Sequence, residues 1–138
     1  MKTLLILLVL LSSILAKPLS IEIKGRLLCR EKPEQYAELQ LSFYVTLGQS
    51  FILARDVFTD ADGYFSIRGS KDLSYEMTGR LQVLHRCFAQ PEEQHDPCVR
   101  KFEVDVPAAL VTAGVFPRTW QMSDIRLEDV GGQWTECP

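Results

Sequence analysis

From Ser20 onward the chain alternates apolar and polar residues with a period of two, the spacing of a half-buried strand. Ile21, Ile23, Gly25, Leu27 and Cys29 fall on one face, and the pattern breaks at Arg30-Glu31-Lys32-Pro33, where proline cannot continue a central ladder. Ala37 to Val45 is the cleanest predicted strand, with Leu39, Leu41, Phe43 and Val45 inward. Phe51 to Phe58 is a weaker one, because Arg55 and Asp56 interrupt its apolar residues. Thr59-Asp60-Ala61-Asp62-Gly63 reads as a turn in which Asp side chains bond back to the chain and glycine supplies positive φ. A short strand follows from Tyr64 to Arg68, then a polar stretch without period from Ser70 to Gly79. Ala108 to Ala113, behind Pro107, suits one helical turn or a loose edge segment, and Thr119 to Leu127 is the last predicted strand. The glycine-containing tail then carries Cys137 to an anchor point.

Between these lies Arg80 to Val106, two period-2 strands joined by a polar loop with a cysteine at each rim. Leu81, Val83, His85 and Cys87 share one face of the first strand; Cys98, Phe102, Val104 and Val106 share one face of the second. Bridging Cys87 to Cys98 would set Leu81 against Val104, Val83 against Phe102, Arg80 against Asp105 and His85 against Arg100. Seven or eight short strands at this spacing, with almost no helical periodicity, predict an all-β protein, an antiparallel β-sandwich. A closed barrel is the alternative.

The opening MKTLLILLVLLSSILA has one lysine, an apolar run and a small-residue end, the layout of a secretory signal peptide over residues 1–16. One domain is expected over residues 17–138, enough for a single core. Without the leader the chain carries 14 basic and 18 acidic residues, a net charge of −4, which gives no footprint for nucleic acid. The four cysteines, Cys29, Cys87, Cys98 and Cys137, all lie in the mature part, and in an oxidising compartment an even count reads as two disulfides. Of the three connectivities, Cys87 with Cys98 and Cys29 with Cys137 is the expected one. The chain contains no asparagine and so no N-glycosylation site.

His85, Cys87, His95 and Cys98 contain enough donors for zinc, but their spacing matches no established finger and exported thiols usually pair, so no metal is expected there. Taking Gly63 as the sixth position of a calcium loop puts Phe58 first and Gly69 twelfth, where carboxylates are needed; only a weak surface calcium site at Asp60 and Asp62 stays open. There is no Gly-x-Ser-x-Gly elbow, and the only histidines are His85 and His95. No catalytic residue, cofactor or enzyme activity is expected. His85, inward and opposite Arg100, is expected to be a neutral imidazole with its pKa below the ordinary 6.5 or so.

Four blocks line up with one family: Gly25-x-Leu27-x-Cys29-x-x-Lys32-Pro33, Thr59-Asp60-x-Asp62-Gly63-x-Phe65, His85-x-Cys87, and Cys98-x-Arg100-Lys101 followed by Pro107. Over most of its mature length the chain resembles the nematode transthyretin-like secreted proteins. The resemblance implies a transthyretin-type sandwich, export from the cell and a role at cell surfaces or in secretions. Members of that family usually carry an acidic Asp-Asp-Leu stretch before the Asp-Gly turn, where this chain has Gln49-Ser50-Phe51-Ile52-Leu53. The related hydroxyisourate hydrolases share the fold and end in Tyr-Arg-Gly-Ser. Here Ile67-Arg68-Gly69-Ser70 lies in mid-sequence, no histidine precedes His85, and the chain ends in Glu136-Cys137-Pro138.

The sequence therefore points to a secreted, extracellular binding or adaptor module. Its partner would be an extracellular protein or a cell-surface component, anionic lipid head groups included. The expected contact is a basic rim of Arg86, Arg100 and Lys101, joined by Arg30 and Lys32. The competing readings are a carrier of a small apolar ligand and, behind it, a hydroxyisourate-type hydrolase.

Overall fold

The computed structural model describes residues 2–6, 18–45, 48–72, 77–88 and 98–137. Residues 2–6 are helical, and among the described residues no helix is long and apolar enough to cross a membrane. The end of the expected leader, His95 and the acidic residues Glu92, Glu93 and Asp96 lie outside the described residues.

The alternation in the sequence becomes two packed sheets. In the first, β1 (Pro18–Cys29) is the spine. It pairs antiparallel with β5 (Tyr64–Asp72) from Pro18↔Asp72 to Arg26↔Tyr64, with β2 (Lys32–Pro33) and with β8 (Thr112–Ala113). It also pairs parallel with β9 (Thr119–Gln121) and β10 (Ile125–Arg126). These parallel pairs depart from a purely antiparallel sandwich: β8 runs against β1, the chain reverses after Gly114, and β9 and β10 return along β1. The segment expected as one strand from Thr119 is thus two short ones, ending in a 3-10 turn at Leu127–Asp129. Ala108–Leu110 forms a further 3-10 turn, just ahead of β8.

The second sheet has the order β11-β7-β6-β3-β4, made of β3 (Glu38–Tyr44), β4 (Ser50–Phe58), β6 (Thr78–His85), β7 (Val99–Val106) and β11 (Trp134–Glu136). Of the eleven described strands, five are only two or three residues long. Ile21, Ile23 and Leu27 of β1 and Phe65 and Ile67 of β5 meet Leu39, Leu41, Phe43, Leu81, Val83 and Phe102 of the facing sheet in one core. Burying a side chain of this size contributes about 1.5–3 kcal/mol. Gly25 is needed for this packing: a Cβ there would lie 2.8 Å from the tip of the Phe65 ring. β4 is irregular, in keeping with Arg55-Asp56. Its register with β3 shifts on either side of Leu41, and Asp56 has φ 58°.

The expected hairpin register holds residue for residue: Arg80↔Asp105, Leu81↔Val104, Val83↔Phe102 and His85↔Arg100. The expected bridges do not. Cys29 is joined to Cys87, and Cys98 to Cys137. The ladder between β6 and β7 ends at His85↔Arg100, so beyond it Cys87 is free to turn inward to the end of β1 in the opposite sheet. Cys98 instead faces Cys137, because β11 pairs with β7 through Glu136↔Val99 and the next residues on each strand meet. One bridge ties sheet to sheet, and the other ties the C-terminal strand to the edge of its own sheet.

Candidate functional site

At the end of the sandwich where Cys29 meets Cys87, the chain between β2 and β3 is held by one buried residue. Thr59 Oγ1 donates to the carbonyl of Glu34 (2.7 Å) and accepts from the N–H of Ala37 (2.9 Å), while its own backbone bonds Ala37 and Tyr36. Pinned in this way, Tyr36 adopts φ 58°, rare for a bulky side chain, and stands 73% exposed. Phe58, directly across the ladder from Glu38, is 51% exposed. Together with Glu34, Glu38, His85 and Arg86, these two rings line a cleft of about 460 Å³ open to solvent. Burial pushes the Glu34 carboxyl above its usual pKa, against the opposing pull of the Arg86 guanidinium.

His85 forms part of the cleft wall and is only 2% exposed. Its Nδ1 accepts the backbone N–H of Cys87 (3.0 Å), so Nε2 carries the proton and donates it to Gln133 Oε1 (2.6 Å). The Gln133 amide in turn donates to the carbonyls of Leu127 (2.7 Å) and Val130 (2.9 Å). Burial drives the histidine pKa down to about 4, with Arg100 adding to the fall and the Gln133 bond opposing it. The expected neutral imidazole is therefore present. Both ring nitrogens are committed to holding the chain, which leaves no free lone pair to act as a base.

The expected basic rim does not form one continuous free patch. Lys101 is held by Glu136 at 2.7 Å. Arg30 donates to Cys29 Sγ (3.4 Å) and, through its other terminal nitrogen, to the carbonyl of Phe88. Arg100 lies on the inward face opposite His85 and buries its Nε. Arg86 turns into the cleft, and Lys32 is exposed in β2. Asp60 caps its own turn, its Oδ1 accepting the N–H groups of Asp62 and Tyr64 at 2.9 Å each. Among the described residues, one set of three metal-type donors comes together, Cys29, Glu34 and Cys87, and its two sulfurs are bonded to each other. A second cleft, of about 760 Å³, lies at the opposite end of β3 among Leu19, Tyr44, Val45, Met77 and Val111.

Glu34, Tyr36 and Phe58 are not prominent in the sequence, because Glu34 and Tyr36 lie between strands and Phe58 ends an irregular one, so none carries a periodic signal. What could have indicated them is Thr59, a residue fixed in the Asp-Gly turn block whose hydroxyl must find partners once buried.

Residues 24–107 match the TTR-52 transthyretin-like family. The chain is 30% identical over 112 residues to transthyretin-like protein 46 of Caenorhabditis elegans, covering 80% of this chain and 61% of that protein's length. Among solved structures, the 9R-lipoxygenase from Cyanothece PCC8801 contains a region of similar fold. It aligns with a TM-score of 0.50 and 16% identity, over 79% of this chain and 16% of the lipoxygenase.

Proposed function

The chain belongs to the transthyretin-like family, and from that premise we propose that it is an extracellular binding or adaptor module that engages its partner at the cleft beside the Cys29–Cys87 bridge. The observation that carries this reading is the pair of exposed rings, Tyr36 and Phe58, on a rim fixed by Thr59. Rigid aromatic anchors around a concave surface are what protein interfaces use for most of their affinity. Two disulfides and the leader-like opening support an extracellular setting. Against catalysis stands His85, neutral and bonded through both nitrogens.

The test uses oxidised mature protein as bait against extracellular and membrane fractions. Wild type should capture a partner, and the double variant Tyr36→Ala, Phe58→Ala should lose about tenfold or more in affinity, the usual cost of removing anchor residues. Capture should depend only weakly on salt, since an aromatic contact is not screened as exposed charges are. Undiminished capture by the double variant would refute the assignment of the cleft. Hydrolysis of hydroxyisourate that disappears in His85→Ala would refute the binding reading altogether.

A further inference from the structure

The Cys29–Cys87 bridge differs from a buried structural staple in three respects. Its two sulfurs are unequally placed: Cys87 is 2% exposed, whereas Cys29, at the end of β1, is partly open to solvent. A guanidinium sits on the open sulfur, Arg30 Nη1 donating to Cys29 Sγ at 3.4 Å. A carboxyl attends both, a Glu34 oxygen lying within 4.8 Å of each sulfur while the same side chain lines the cleft. Among the described residues the Cys98–Cys137 bridge has no such group.

From this arrangement we propose that Cys29–Cys87 is a thiol-exchange site for low-molecular-weight thiols, with Cys29 the attacked sulfur and Glu34 the proton donor to the departing Cys87. An external thiolate displaces Cys87 from Cys29 Sγ. The new S–S bond joins Cys29 to the incoming thiol, and the electron pair of the old bond leaves on Cys87 Sγ. A bare thiolate at that buried position would be costly. The protonated Glu34 carboxyl gives up its hydrogen there, leaving Cys87 as a thiol and Glu34 as a carboxylate. A second external thiolate then attacks the captured thiol's own sulfur. This releases an external disulfide and returns Cys29 as a thiolate, which the Arg30 guanidinium stabilises. Two external thiols are oxidised and one protein disulfide is reduced.

The charged and titratable groups around Glu34 are consistent with this role. Arg86 acts on it from the end of β6, Glu38 of β3 and the neutral His85 line the same cleft, and Arg30 reaches the neighbouring Cys29 sulfur from the β1 turn. The burial that raises the Glu34 pKa outweighs Arg86, so the acid form persists to higher pH than in an ordinary glutamate. This inference stands apart from the choice of binding partner; it concerns the bond that ties the two sheets beside the cleft.

The experiment exposes oxidised mature protein to reduced glutathione between pH 5 and 8, quenches with acid and alkylating agent, and maps the adducts by mass spectrometry. Glutathione should be found on Cys29 with Cys87 alkylated, and not the reverse. Glu34→Gln should slow opening of this bridge about tenfold or more towards the acid end of that range, a modest general-acid effect, on top of the rise of rate with pH that the glutathione thiolate fraction gives both bridges. Cys98–Cys137, in the same molecules, should open at an unchanged rate. A melting curve of the oxidised variant confirms its fold, and Glu34→Ala provides a second variant. Glutathione on Cys87, an unchanged rate in both variants, or equal slowing of both bridges would overturn the proposal and leave Cys29–Cys87 a structural tie only.

Discussion

His85 Nδ1 accepts the backbone N–H of Cys87 at 3.0 Å, two residues past the last rung of the β6–β7 ladder. That bond replaces the lost ladder hydrogen bond and fixes the turn that carries Cys87 into the opposite sheet. It also has a direction, because a proton on Nδ1 would oppose the Cys87 N–H and destroy it.

Stability should consequently depend on pH. The unfolded chain takes up a proton on His85 near pH 6.5, while the folded one refuses it until about 4. The contribution of the neutral histidine is therefore complete above 6.5, is lost progressively as pH falls, and levels off below about 4. At about 1.4 kcal/mol per tenfold change in proton affinity, the whole span amounts to about 3 kcal/mol. Urea titrations of wild type and His85→Gln from pH 4 to 8 check this, and the variant should show a flatter profile. A His85 resonance titrating above pH 7 by NMR would contradict it.

Thr59→Val should cost about 1–3 kcal/mol, since it leaves the Ala37 N–H without its side-chain acceptor inside the protein. Partner capture should fall with it, because the rim that presents Tyr36 loses its pin. A denaturation midpoint equal to wild type would show that the rim is held by other means.

Gly63→Ala should destabilise far more than Gly132→Ala. Both glycines have positive φ, 81° and 72°, but a Cβ at Gly63 would sit 2.5 Å from the carbonyl oxygen of Leu27, whereas nothing lies within 4 Å at Gly132. About 1 kcal/mol is expected at Gly132 from backbone strain alone. At Gly63 the clash adds loss of the Leu27 N–H bond to the Gly63 carbonyl at 2.8 Å. Equal melting temperatures would contradict this.

Ionised Glu34 should weaken the fold at neutral pH. Its pKa is raised by burial, so folding favours the acid form, and stability from this group falls as pH rises through the folded value. Glu34→Gln should therefore melt at or above the wild-type temperature at pH 7.5, and lose that advantage at pH 4. A lower melting temperature at pH 7.5 would show that the attraction of Arg86 outweighs the burial.

Most of the sandwich is legible as alternation. Ile21 to Leu27, Leu39 to Phe43, Leu81 to His85 and Phe102 to Val106 can bury an apolar face in only one phase, and a one-residue slip would turn it to water. The hairpin register agrees with the sequence for that reason, reinforced by Arg80 against Asp105 at 2.9 Å, although the Cys87–Cys98 bridge that would also set it does not exist. The bridges are not legible because closeness in sequence is a poor guide where the chain leaves its ladder. The partner of Cys98 depends on β11, whose Trp134, Thr135 and Glu136 are all exposed and too few to show a period. The Arg30-Glu31 turn is hidden in another way: both residues have positive φ without being glycine, which gives a tight hairpin from β1 to β2 where the residue pattern shows only a break. The cleft is invisible because Glu34 and Tyr36 come from one irregular segment and Phe58 from the end of β4, brought together by Thr59 and the Glu38↔Phe58 pairing.

The claim on which the cleft, the histidine network and the exchange site all depend is that the two sheets are tied at this end by Cys29 and Cys87. Peptide mapping of the oxidised protein under non-reducing conditions tests it most directly. The expected result is two bridges, Cys29 with Cys87 and Cys98 with Cys137, and no free thiol. Recovery of Cys87 linked to Cys98 would contradict it.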